Sequence, residues 1–209
     1  MIYQFNRVYQ NEYLQYLNKQ VINMSTYITN TIKLAIKNNP KVHILNTNMV
    51  PAAVMVLLFE KDQNLYFILN KRTDLVEHHK GEISFPGGSK DPEDNGLLET
   101  ALRETHEEMG IKPNNIDVIG EIDDVETNSD FIITPFVGTI SYPYEYKLSE
   151  IEVAEVLEVP LSTLTNPNNI NYFKHDKYGS LVSYKHFNHN IYGATALILE
   201  KVIKLININ

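Results

Sequence analysis

The stretch FPGGSKDPEDNGLLETALRETHEEMGI, from Phe85 to Ile111, constrains the fold more than any other part of the chain. The apolar run Gly81–Phe85 predicts a strand that ends in the turn Pro86-Gly87-Gly88. Gly96–Met109 has the apolar spacing of a helix, and Gly110 stands where a left-handed residue usually closes one. A strand, a glycine turn and a polar loop must therefore feed a helix that carries Glu104, Glu107 and Glu108 near its C-terminal end. That end holds partial negative charge, so each acid there costs about 0.3–1 kcal/mol. Glu104 also lies three and four residues from Glu107 and Glu108, where like charges repel. A bound cation is the simplest compensation.

Helical geometry places Leu98, Leu102, Thr105 and Met109 on one side, with Ala101 at its edge, and that side is expected to face the core. Glu104 and Glu108 fall beside that edge, Glu107 lies further round, and His106 and Glu99 point to solvent. Clustered carboxylates without sulfur suit a hard divalent cation, Mg²⁺ or Mn²⁺. The alternative is an ordinary solvated acidic face. Paired glycines before the helix favour the cation, because they let backbone approach a ligand or metal closely.

Along the rest of the chain, residues 1–40 read as helical and stop at Asn38-Asn39-Pro40. Strands are expected at Ala53–Glu60 and Leu65–Asn70 around the turn Lys61–Asn64, then at Ile116–Ile122, Phe131–Ile140 and Ala154–Val159. Asn171–His175 and Leu181–His186 form a hairpin, and Ala194–Ile208 a final helix. Helices interrupting strands predict an α/β domain with a mixed sheet between helical layers.

The 209 residues fit one domain with a modest extension. A net charge of −8 with no Lys/Arg block argues against nucleic-acid binding. Cysteine is absent, which excludes disulfides, thiolate zinc sites and cysteine nucleophiles. The longest apolar run, Val50–Phe59, is too short to cross a bilayer, and no secretory signal is read at the start. The default expectation is a cytoplasmic protein without a membrane partner, and no oligomeric state is implied. His186 and His189 are expected to be plain surface histidines.

The chain resembles the Nudix hydrolases, whose box is G-x5-E-x7-R-E-U-x-E-E-x-G-U with U aliphatic. Here Gly88 is followed by Asp94 and then by Arg103-Glu104-Thr105-His106-Glu107-Glu108-Met109-Gly110-Ile111. Asp94 replaces the first glutamate, eight residues rather than seven follow it, and Thr105 stands at an aliphatic position. Within that superfamily, residues 50–205 resemble the coenzyme A diphosphatases. Their signature R-S-x-x-L-R-x-H-x-G-x-x-x-FPGG compares with Arg72 to Gly88, and later segments with Ile132–Gly138, Glu152–Leu161 and Ile191–Ala196. Glu77 replaces the signature's second arginine.

The resemblance implies an α/β/α Nudix sandwich over residues 46–209, with residues 1–45 as an N-terminal helical extension. It implies a divalent-metal-dependent hydrolase of a nucleoside diphosphate linked to another group, with a small-molecule nucleotide as partner. For coenzyme A the products would be 3′,5′-ADP and 4′-phosphopantetheine. Glu104, Glu107, Glu108 and the Gly88 carbonyl are the implied metal ligands, and Arg103 would orient a carboxylate or touch phosphate. Glu104, or second Glu152, is the candidate general base. Arg72, His79 and Gly87 are candidate substrate contacts. Glu77 keeps ADP-ribose, NADH or another nucleotide derivative open as substrate. A non-catalytic nucleotide sensor is disfavoured by the three acids.

Overall fold

Residues 29–39, 41–46, 48–76, 79–175 and 179–206 are described by the computed structural model. Most of the helical expectation for residues 1–40 lies outside them, and so does Glu77. A helix at 29–38, α1, is described and is followed by an extended segment at 41–46.

Val50–Lys61 (β1) and Asn64–Arg72 (β2) form an antiparallel hairpin in which Lys61 faces Asn64. Asp62 and Gln63 make its tight turn at φ 50° and 62°, the positive-φ geometry that matches strand twist. The expected Gly81–Phe85 strand shortens to Ile83–Ser84 (β3), because the chain is still turning at Gly81, with the Glu82 N–H bonded to the His79 carbonyl. The glycines expected as a turn are instead a strand, Gly87–Ser89 (β4), paired with Ala52–Val54 of β1. A Cβ at Gly87 would run into the Ala53 carbonyl and Val54, so only glycine lies this close to β1.

The order continues with Leu97–Met109 (α2), Asp117–Glu121 (β5), Val125–Glu126 (β6), Phe131–Thr139 (β7) and Val153–Pro160 (β8). Leu161–Leu164 (α3), Ile170–His175 (β9), Gly179–His186 (β10), His189–Ile191 (β11) and Gly193–Ile206 (α4) complete it. Strands β1 to β8 form one sheet, with β3-β2-β1-β7-β5 as its main path, β4 beside β1, β6 beside β7 and β8 beside β2. The β1–β7 pairing is parallel and the others are antiparallel, so the sheet is mixed. A small sheet, β11-β10-β9, stands apart.

Successive β1 side chains alternate between two cores. Val56 and Leu58 join Ile32 of α1, Leu199 and Val202 of α4, and Val182, Tyr184 and Ile191 of the small sheet. Ala53, Met55, Leu57 and Phe59 join Ala101 and Met109 of α2. Helices therefore cover both faces, which explains why β1 reads as a continuous apolar run. The architecture is an α/β/α sandwich around a mixed sheet.

Candidate active site

Helix α2 lies over β1 and β4, turned from the orientation expected of its sequence. Leu98 is 37% exposed and Leu102 only half-buried, while Thr100, Ala101, Thr105, Glu108 and Met109 form the buried stripe. Small side chains at Ala101 and Thr105 let the helix approach the sheet, and polar partners at both ends favour the roll. The Thr100 hydroxyl donates to Asp94 (2.8 Å), and Glu108 reaches partners on the sheet. The helix ends as expected: Gly110 is left-handed at φ 70°, its N–H bonded to the His106 carbonyl.

The three helix acids differ in environment. Glu107 is largely exposed, Glu104 is mostly covered and Glu108 is 3% exposed. Arg103 ties the first two together: Nη1 donates to Glu104 Oε1 (2.8 Å) and to Glu107 Oε2 (2.9 Å). Its Nε and Nη2 donate to the two oxygens of Asp94, each at 3.1 Å. Arg103 holds the Asp94 carboxyl well below the usual carboxylate range, and the exchange keeps Arg103 firmly protonated. The shorter acid that replaces the usual glutamate thus anchors the arginine in a bidentate clamp.

Glu108 points into the sheet. Its Oε2 accepts from Asn70 Nδ2 (2.7 Å) and from the Gly87 N–H (3.2 Å), and its Oε1 lies 3.8 Å from Arg72 Nη1. Burial pushes its carboxyl up to about 8; Arg72 and the Gly87 N–H oppose this, and the charges of Glu104 and Glu152 add to it. Burial also raises Glu104, again with a contribution from Glu152. Glu152, in the turn before β8, is therefore brought into the electrostatic reach of both helix acids. Gly88 faces Glu104 so closely that a Cβ there would lie 2.6 Å from its carboxylate. Among the described residues, Arg72 Nε is the buried side-chain polar atom left without a hydrogen-bond partner.

The remaining predicted contacts are placed as follows. His79, at φ 57°, sits 3.0 Å from Glu82 Oε2 through Nδ1, and the Glu82 carboxylate also meets the Tyr192 hydroxyl. His186 is buried rather than on the surface, because it ends β10, the central strand of the small sheet, where it pairs with His189 of β11; its ring also meets that of Phe187 edge-on. Burial and His189 pull His186 below the usual histidine range. His189 has a carboxylate 3.7 Å away, Glu155, which only the folding of β8 brings near. A cleft of 920 Å³ lined by Phe59, Tyr142 and Tyr144 lies at the far end of β1 and shares no residue with the acid cluster.

Sequence reasoning missed Asn70 and Ser84. Asn70 is fully buried inside the apolar run of β2, and a lone amide in such a run was the available signal.

The family model described as the NUDIX domain matches residues 49–174. The chain belongs to the Nudix family. The uncharacterized Nudix hydrolase NudL of Enterobacter sp. (strain 638) is 36% identical over 160 residues, covering 74% of this chain and 82% of that protein. The NudL protein of Photorhabdus laumondii is 28% identical over 191 residues, covering 90% of this chain and all of that one. A MutT/nudix family protein from Enterococcus faecalis shares the fold at a TM-score of 0.50 and 15% identity, over 81% of this chain and 66% of the other. No helix among the described residues is long and apolar enough to cross a membrane.

Nudix hydrolases generally use divalent metal ions, and the donor chemistry here fits one. Carboxylate oxygens suit a hard cation, Glu152 destabilises the charged forms of Glu104 and Glu108, and Gly88 leaves open the space beside Glu104. Among the described residues no three His, Asp or Glu side chains converge on one point, and Arg103 holds Glu104 and Glu107 by hydrogen bonds.

Proposed function

We propose that this Nudix hydrolase is a divalent-metal-dependent diphosphatase acting on coenzyme A, with 3′,5′-ADP and 4′-phosphopantetheine as products. The observation that carries the diphosphatase chemistry is the placement of Glu104 and Glu108 of α2 directly against the Gly87-Gly88 strand, with Arg72 3.8 Å from Glu108. The coenzyme A assignment is supported by the likeness of residues 72–88 and the later segments to that branch. In this reading residues 46–209 are the hydrolase domain and residues 1–45 an N-terminal extension.

Glu104, Glu107, Glu108 and the Gly88 carbonyl would hold the cation, Mg²⁺ or Mn²⁺. When bound, it supplies neutralisation of the diphosphate charge. Arg103, clamped by Asp94, orients Glu104 and Glu107. A carboxylate takes a proton from the attacking water as the water oxygen bonds to phosphorus and the bridging oxygen leaves with the other phosphate. Glu104 is the first candidate for that base, because burial raises its basicity above that of a surface acid; Glu152 is the second. Arg72, whose side chain is about a quarter exposed, is the proposed contact for a phosphate oxygen. The Gly87 backbone and His79 complete the proposed substrate contacts.

Glu77 favours a second reading, with ADP-ribose or NADH as substrate, because a carboxylate there would repel additional phosphate. Product analysis by mass with coenzyme A, NADH, ADP-ribose and a nucleoside triphosphate, each with Mg²⁺ or Mn²⁺, separates the readings. Release of 3′,5′-ADP from coenzyme A, lost in Glu108→Gln, is expected. Turnover of the other substrates alone overturns the coenzyme A assignment, and turnover of none overturns the enzyme reading in favour of a nucleotide sensor.

A further inference from the structure

Asn70 is the one fully buried side-chain amide of β2, set among the buried Phe67, Ile68 and Leu69. A buried amide is costly unless both ends are paired, and here they are paired with opposite polarity. Its Oδ1 accepts from Ser84 Oγ (2.6 Å), the residue directly opposite it across the β2–β3 pairing. Its Nδ2 donates to Glu108 Oε2 (2.7 Å). The Gly87 N–H adds a second donor to the same oxygen. Glu108 Oε1 faces Arg72 at 3.8 Å, beyond hydrogen-bond distance.

We propose that Asn70 is a positioning residue: with Ser84 setting its amide, it locks one oxygen of Glu108 and leaves the other as the donor presented to a divalent cation. The inference rests on the reading of Glu108 as a metal ligand. The side chain required is specific. Aspartate at this position would set two carboxylates against each other, leucine cannot donate, and an amide flipped by loss of Ser84 would turn its oxygen toward Glu108.

The test is Mn²⁺ binding to the substrate-free protein, followed by electron paramagnetic resonance, with Tm measured in parallel. Partners that orient a metal ligand change affinity by about 10–100-fold when removed, so Asn70→Leu is expected to weaken Mn²⁺ binding by about that factor. Should Asn70→Leu fold poorly, Ser84→Ala keeps the question open to measurement, with an expected loosening at the lower end of that range, about 10-fold. A purely structural amide would lower Tm and leave the Mn²⁺ affinity of the folded protein unchanged. Wild-type affinity in both variants overturns the inference while the metal reading stands. A wild-type protein that binds no Mn²⁺ overturns the metal reading itself, and this inference with it.

Discussion

The fold disfavours the charged form of Glu108. It is buried, and Glu104 and Glu152 press its carboxyl further toward the neutral form. Glu108→Gln keeps an oxygen able to accept from Asn70 and Gly87 and removes the charge. The metal-free variant is therefore expected to melt about 2–4 °C higher at pH 8, while hydrolysis falls by at least about 100-fold. Calorimetry and a phosphate-ester product assay check the two halves, and an unchanged rate would remove Glu108 from the site. Gly88→Ala acts on the neighbouring acid. Its Cβ would meet the Glu104 carboxylate at 2.6 Å, so the protein should fold and lose activity, with a crystal structure showing Glu104 displaced. Both positions were legible in the sequence, since the acids and glycines stand in a local pattern. Asn70 and Ser84 were not, because their meeting depends on the register of β2 against β3, which no single segment encodes.

At the scale of elements, the extended segment 41–46 is fastened to the sheet through two aspartates after β5. Asp123 accepts from the Val42 N–H and from Lys201, and Asp124 from the Ile44 N–H, Thr134 and Lys41. Burial pushes both carboxyls up, but these bonds outweigh it and hold each below the usual range. A carboxyl lowered on folding stabilises the native state fully above its unfolded value of about 3.9. That contribution is lost as pH falls through the folded values. Hydrogen exchange at the Val42 and Ile44 amides should accordingly stay protected at neutral pH and accelerate below about pH 4; constant protection to lower pH would sink the account. Asp124→Ala, which leaves the buried Lys41 ammonium short of a partner, should cost about 3 kcal/mol at pH 7 by denaturant titration. The longer elements were readable from periodicity, whereas the short β4, β6, α3 and β11 were not. The roll of α2 was not, because leucines at Leu98 and Leu102 suggested one face while the sheet required the small residues and Glu108 on another.

At the scale of the whole molecule, the two cores are unequal in what they draw on. The core under α2 draws on residues from Ala53 to Ile140, whereas the opposite one joins α1, α4 and the small sheet from Ile32 to Val202, almost the full described length. Ile32 is wholly buried there, and Ile36 of the same helix packs against Gly120 of β5, where an added Cβ would meet it at 3.2 Å. A boundary drawn at residue 45 by resemblance therefore passes through a packed interface, a coupling that sequence alone could not reveal because its contacts are long-range. Ile32→Ala removes a buried aliphatic side chain and should cost about 2–5 kcal/mol. For a chain of this size that lowers Tm by about 4–20 °C. A chain starting at residue 46 loses Ile32 and Lys41 together, so it should melt lower still and bind a hydrophobic dye at neutral pH. If it instead keeps the parent Tm and hydrolytic rate, α1 is an appendage and the hydrolase domain is stable without it.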